Sequence, residues 1–228
     1  MEAWHMSEIS ELYAVKYGES TLSGNRMLSG GDPNLRYPID FLIYLLRLDG
    51  RWILIDAGCL SMPGWEMRYF CPPTEVLDRM GVRAEEITAV ILTHAHRDHA
   101  EALSLFPNAT VYVQQDALTH DGGRYIPQDR QIVSFEETLW ISDSIRIVWI
   151  GGHAIGSSAV ELYRGGEPLY VMVGDECYGD ICFETNTPTG ASIDPDRSRG
   201  FLKTYRDWKR LYSHEPILPG KNGYLRFL

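Results

Sequence analysis

The sequence predicts an α+β fold in which two β-sheets pack face to face with helices outside. Three observations carry this: short apolar runs recur through both halves of the chain, a helical pattern follows each strand-rich half, and glycine or proline marks most junctions. At 228 residues and 44% hydrophobic content the chain can fill one large core, so residues 1–228 are expected to form a single domain.

Residues Ile9 to Lys16 and Phe41 to Leu48 are strand-like, and Asp49-Gly50 turns the second run into Arg51 to Asp56, giving an opening β-meander. Between them Ser20 to Pro38 holds three glycines and two prolines, which predicts a long loop. A helix is expected from Thr74 to Met80, with Thr74 as N-cap and Gly81 as the stop. Ile87 to Leu92 reads as a buried strand. Further strands are expected at Thr110 to Val113, Ser144 to Ile150, Ala159 to Tyr163 and Pro168 to Val173. Asp194 to Tyr212 reads as a late helix, with Asp194 as N-cap and Pro195 at its first position.

The formal charge of −10 is offset by no Lys/Arg stripe, which argues against nucleic-acid partners. No run approaches the roughly 20 apolar residues that span a bilayer, and Met1 to Glu8 lacks a basic region followed by an apolar one. A cytoplasmic protein with no membrane partner is expected. Cys59, Cys71, Cys177 and Cys182 show no paired spacing and are expected to be reduced thiols.

The chemistry concentrates in Thr93-His94-Ala95-His96-Arg97-Asp98-His99, directly after the Ile87 to Leu92 strand. One histidine here would be an ordinary polar residue, but three with an aspartate inside six positions offer donors suited to zinc, manganese or iron. In extended chain His94 and His96 point to one side, while Asp98 and His99 fall in the first turn of a helix running through Glu101-Ala102-Leu103. Two further strands end in glycine and a ligand-type residue, Gly152-His153 and Gly174-Asp175, where glycine permits a sharp turn toward a shared centre.

With these motifs the chain resembles the metallo-β-lactamase superfamily. His94, His96, Asp98 and His99 match its HxHxDH signature, and Gly152-His153-Ala154-Ile155-Gly156-Ser157 and Gly174-Asp175 match its later segments. Gly30-Gly31-Asp32-Pro33, Ile55-Asp56-Ala57-Gly58 and the spacing from Asp175 to Tyr178 resemble the N-acyl homoserine lactonase-like branch. The resemblance covers nearly the whole chain and implies an αββα four-layer sandwich. It also implies one metal on His94, His96 and His153, and a second on Asp98 and His99, with Asp175 bridging.

One departure bears on the second ion. Where the family delivers a last histidine in a PGH segment, this chain has Pro219-Gly220-Lys221. His214 lies seven residues earlier, roughly 23 Å away in extended chain, and is expected at the other end of the strand. The second site is therefore expected to be weakened. Lys221 is an ordinary solvated loop lysine, or a fixed charge binding a substrate carboxylate or oxyanion, or a residue leaning away while water completes the shell.

The expected activity is hydrolysis of a small ester or lactone by metal-bound hydroxide, with one or two divalent ions, zinc foremost and manganese or iron as alternatives. Asp98 would orient the nucleophile and pass a proton to the leaving oxygen, and Tyr178 would donate to the oxyanion. Asp56 and Thr93 would orient the imidazoles, and Trp65, Tyr69 and Phe70 either line an apolar wall or cover the sheet. The alternatives are a thioesterase of the same fold and a non-catalytic ligand-binding or regulatory protein, the latter motivated by Lys221.

Overall fold

The computed structural model describes residues 7–120 and 123–228. Residues 1–6, which carry most of the reading of the N-terminus, lie outside the described residues. No described helix is long and apolar enough to cross a membrane.

The first sheet contains β1 (Ile9–Ser23), β2 (Arg36–Leu48), β3 (Arg51–Ile55), β4 (Ile87–Ile91), β5 (Thr110–Gln114) and β6 (Ile132–Phe135). The second contains β7 (Thr138–Ser142), β8 (Ile145–Trp149), β9 (Ser158–Arg164), β10 (Glu167–Met172) and β11 (Arg210–Leu211), while β12 (Gly223–Arg226) returns to the first. Their orders are β12-β1-β2-β3-β4-β5-β6 and β11-β10-β9-β8-β7. The helices are α1 (Gly24–Met27), α2 (Pro73–Arg79), α3 (Arg97–Ala100), α4 (Gln115–Thr119), α5 (Ile181–Thr185) and α6 (Pro195–Thr204).

Period-two alternation builds the layers. Along β2, Leu42, Tyr44 and Leu46 face the second sheet and pack with Ile145, Ile147, Val160 and Leu162. The intervening Ile43 and Leu45 pack on the opposite face with Val76 and Leu77 of α2. On the far side of the second sheet, Ala159 and Val171 meet Phe183 of α5 and Phe201 and Leu202 of α6. The result is the αββα sandwich. All four cysteines are free thiols.

Several expectations are corrected. The proposed loop from Ser20 to Pro38 is at both ends part of a long hairpin, because Thr21, Leu22 and Ser23 pair with Pro38, Tyr37 and Arg36, and residues 24–35, which include α1, connect the two strands. Helix α2 starts at Pro73 with Pro72 as its N-cap, so Thr74 sits inside the first turn. The helix after the histidine motif is only α3, followed by a 3-10 turn over Glu101–Leu105.

The largest correction concerns Asp194 to Tyr212. Asp194 does cap a helix, its Oδ1 accepting from the Asp196 and Arg197 amides, but α6 ends at Thr204. Tyr205 then turns its hydroxyl onto Glu161 at 2.6 Å, and Arg210–Leu211 becomes a parallel neighbour of β10. The Val171 and Val173 amides donate to Lys209 and Leu211, which supplies the backbone partners the helix would have given.

Strand direction places the site. Strands β3 to β6 run parallel, so β3 and β4 end on the same edge. Strand β9 is antiparallel to both β8 and β10, and β11 is parallel to β10, so β8, β10 and β11 also end together.

Candidate metal centre

Four strand ends deliver the donors, β4 leading into His94 to His99, β8 into His153, β10 into Asp175 and β11 into His214, and a fifth, β3, leads into Asp56 behind them. The structure gathers them into two groups, His94-His96-His153 and Asp98-His99-Asp175-His214, each with its ligand atoms within 4.8 Å of one another.

In the first group, His96 Nδ1 lies 3.1 Å from both His94 Nε2 and His153 Nε2. Nitrogens bound 2.0–2.1 Å from one tetrahedral ion would stand about 3.3 Å apart, so the spacing suits a shared cation. Burial and neighbouring imidazoles hold His94 well below the usual histidine range, and burial pushes His153 down to about 4. Both therefore present neutral nitrogens near pH 7.

In the second group, Asp175 Oδ1 lies 3.2 Å from His99 Nε2 and 3.3 Å from His214 Nε2, while its Oδ2 lies 3.6 Å from His153 Nε2. One carboxylate thus faces both groups. Asp98 Oδ2 stands 3.4 Å from His214 Nε2. His99 Nε2 and Asp175 Oδ1 are buried without a hydrogen-bond partner, a costly arrangement that an ion between them would relieve. Donor chemistry, spacing and orphaned atoms all fit two divalent ions. Burial opposes a charge on His214, but Asp175 and Asp98 raise it to about 10, so without an ion its proton balances the carboxylates.

Neighbouring side chains fix the imidazoles from behind. His99 Nδ1 is 2.7 Å from Asp56 Oδ2, and Asp56 Oδ1 accepts from the Thr93 amide at 2.8 Å. Asp56 adopts φ 61°, an unusual conformation for a non-glycine residue that these contacts hold in place. His214 Nδ1 donates to the Asp40 carbonyl at 3.0 Å, and the Tyr17 hydroxyl donates to the Asp98 carbonyl at 2.8 Å.

His214 corrects the sequence reading. The strand that delivers it is β11, whose end lies beside that of β10, and the second group is not a ligand short. Lys221 is exposed and absent from the cavity lining, so its reading as a substrate-binding charge at the metals is withdrawn. The non-catalytic reading loses its motive with it.

A buried charge network explains why the 214–220 segment runs here. Lys16 is fully buried, with Nζ 2.7 Å from both Glu19 and Asp40 and 2.6 Å from the Leu218 carbonyl. Asp40 Oδ2 accepts from the Ile217 and Leu218 amides at 2.9 and 3.1 Å, and Glu19 from Gly220 at 3.1 Å. Glu176 performs a similar task for His153. Its carboxylate accepts from the Gly152 and His153 amides, from Ser157 and from Ser198, all within 3.0 Å.

A cavity of about 590 Å³ opens over the donors and is lined by His96, Asp98, His153, Asp175, Tyr178 and His214 among others. The Tyr178 hydroxyl donates to Asp175 Oδ2 at 3.3 Å, and burial with the Asp175 and Asp98 charges keeps the phenol well above its usual range. It therefore stays a proton donor. Of the three expected wall aromatics, Trp65 lines the cavity; Phe70 packs against Tyr17 and Tyr69 is exposed.

Residues 42–198 match the sequence model of the Metallo-beta-lactamase superfamily. Hydroxyacylglutathione hydrolase of Aeromonas salmonicida is 25% identical over 148 residues, covering 63% of this chain and 49% of that protein. The chain thus spans about half the length of that relative. The N-acyl homoserine lactonase AiiB of Agrobacterium fabrum is 23% identical over 207 residues, covering 75% and 72%. The crystal structure of an N-acyl homoserine lactone hydrolase, with the product N-hexanoyl-L-homoserine at its metal centre, superposes with a TM-score of 0.78. That likeness extends over 91% of this chain and 94% of the other at 18% identity.

Proposed function

Since the chain belongs to the metallo-beta-lactamase superfamily, we propose that it is a metal-dependent hydrolase of small carbonyl substrates, esters or lactones first, with residues 1–228 as one metallo-hydrolase domain. The observation that carries this is the position of Asp175 between two donor groups that open into one cavity. N-acyl homoserine lactone and hydroxyacylglutathione, the compounds named for its relatives, make lactones and acyl thioesters the classes to try beside simple esters.

His94, His96 and His153 would hold one ion, and Asp98, His99 and His214 the other, with Asp175 shared. Divalent ions held there, zinc foremost, supply Lewis acidity and a water that ionises near neutral pH. Asp98 would orient the attacking water and carry its proton toward the leaving oxygen. Tyr178, kept protonated at the cavity wall, donates to the oxygen that gains charge. Asp56 and the Asp40 carbonyl fix which nitrogens of His99 and His214 face the ions.

The test is a hydrolysis panel of lactones, aryl esters and acyl thioesters with added zinc, manganese or iron, against the same panel in chelator. Metal-dependent turnover of at least one class is expected. No turnover of any class by protein carrying two ions per chain would overturn the reading.

A further inference from the structure

The cavity mouth carries positive charge that the hydrolytic chemistry does not use. Arg26 on α1, Arg97 on α3 and Arg124 line the same cavity as the two donor groups. Arg97 is committed to Glu101 and to Ser61. Arg26 and Arg124 have no carboxylate within 4.0 Å among the described residues. Among the described residues the carboxylates in the lining are Asp98 and Asp175, which belong to the donor groups. Both guanidinium groups thus stand over one cavity in a chain of formal charge −10.

Their setting suits recognition of an oxyanion. The Arg124 guanidinium stacks 4.8 Å from the centre of the Tyr125 ring, and Arg97 lies 5.3 Å from the same ring. Stacking on a ring occupies a guanidinium face and leaves its N–H edge free for a carboxylate or phosphate. Arg26 lines the cavity together with Tyr178. Elsewhere the wall is apolar, with Leu22, Ile39, Met62 and Trp65. A ligand filling this space would place a short apolar body against that wall and a negative group at the arginines.

Resting on the hydrolase reading above, we infer that the substrate carries a second, anionic group, a carboxylate or phosphate, bound by Arg26 and Arg124 while its carbonyl lies at the donor groups. The arginines are then specificity residues for an acidic ester, lactone or thioester.

The experiment compares mono-4-nitrophenyl glutarate and 4-nitrophenyl phosphonobutyrate with neutral 4-nitrophenyl butyrate, using metal-loaded wild type and Arg26→Gln/Arg124→Gln. Wild type is expected to favour at least one anionic ester by roughly tenfold or more in kcat/KM, the size expected of a charge-assisted contact, and the double variant to bring that ratio close to one. The preferred head group identifies the anion. A ratio near one in wild type, or one that survives in the double variant, overturns the inference.

Binding provides a readout free of turnover. Isothermal titration calorimetry reports affinity for glutarate and 4-phosphonobutyrate against butyrate, all three of which offer one carboxylate to the ions. A preference for a dianion that disappears in the double variant supports the inference even if no ester is cleaved, in which case the hydrolase reading alone fails. Equal affinities overturn it.

Discussion

Replacing Lys16 by methionine tests whether the buried network over the 214–220 segment governs stability and the second donor group. The ammonium has no solvent contact and serves Glu19, Asp40 and the Leu218 carbonyl together, while the two carboxylates are 7% and 2% exposed. Methionine keeps most of the volume, so the variant chiefly strands the buried Asp40 carboxylate rather than opening a cavity, while Glu19 keeps the Arg68 guanidinium at 3.0 Å. Breaking a buried ion pair in this way costs about 3–5 kcal/mol, which for a chain of this size lowers Tm by roughly 6–20 °C. The assay is urea unfolding in chelator, reading the midpoint shift at constant m. The triple variant Lys16→Met/Glu19→Gln/Asp40→Asn should recover most of the loss, since the cost lies in the stranded charge. In metal titrations Lys16→Met should weaken one ion more than the other, because His214 hangs on Asp40. A loss below about 1 kcal/mol with unchanged affinity for both ions would refute the account.

Three further outcomes are expected. His214→Ala should reduce metal content from two ions to one while Lys221→Ala keeps two, as read by elemental analysis after gel filtration; the reverse pattern would reinstate the lysine. Tyr178→Phe should lower kcat by roughly 10²-fold with metal content intact, as for loss of an oxyanion donor, and unchanged turnover would remove that role. Burial opposes ionisation of Glu161, yet Arg146, Tyr163 and Tyr205 hold its carboxyl below the usual range. Its stabilisation is therefore present above the ordinary value of 4.5 and lost as pH falls through the folded value. Glu161→Gln should flatten the decline of Tm between about pH 5 and 3, and superimposable profiles would count against the linkage.

What the sequence revealed follows from how local each signal is. His94, His96, Asp98 and His99 fall within one six-residue span just after a strand, and His153 and Asp175 each follow an apolar strand and a glycine, so all six can be read without tertiary information. His214 cannot. Its strand has two residues, no glycine precedes it, and the run from Tyr205 to Tyr212 has the apolar and charged mixture of a helix end. Only pairing with β10, and the Leu42 amide donating to the Ser213 carbonyl, makes it a strand. Lys16 is hidden for a similar reason. A lysine in a strand reads as a solvent-facing residue, and the partners that let it be buried come from positions 19, 40 and 218.

The carboxylates behind the ligands share a physical role, and of them the sequence singles out Asp56 alone. Loops that present ligands at strand ends leave backbone amides without ladder partners, and buried amides must find acceptors. Three buried carboxylates meet that need beside the ligands: Asp56 takes the Thr93 amide next to His94, Glu176 takes those of Gly152 and His153, and Asp40 takes those of Ile217 and Leu218 just after His214. Charge-assisted bonds of this kind are stronger than neutral ones and fix loop geometry from inside the protein. Donor positions to within about half an ångström are what a metal site requires, and short strand-end loops do not supply that through packing alone. The arrangement therefore distinguishes two classes of acidic residue within one site. Asp98 and Asp175 line the cavity, whereas Asp56, Asp40 and Glu176 each give at least one oxygen to backbone amides. Glutamine retains one acceptor oxygen, so Glu176→Gln, where every donor is a neutral amide or hydroxyl, should be tolerated far better than asparagine at Asp98 or Asp175.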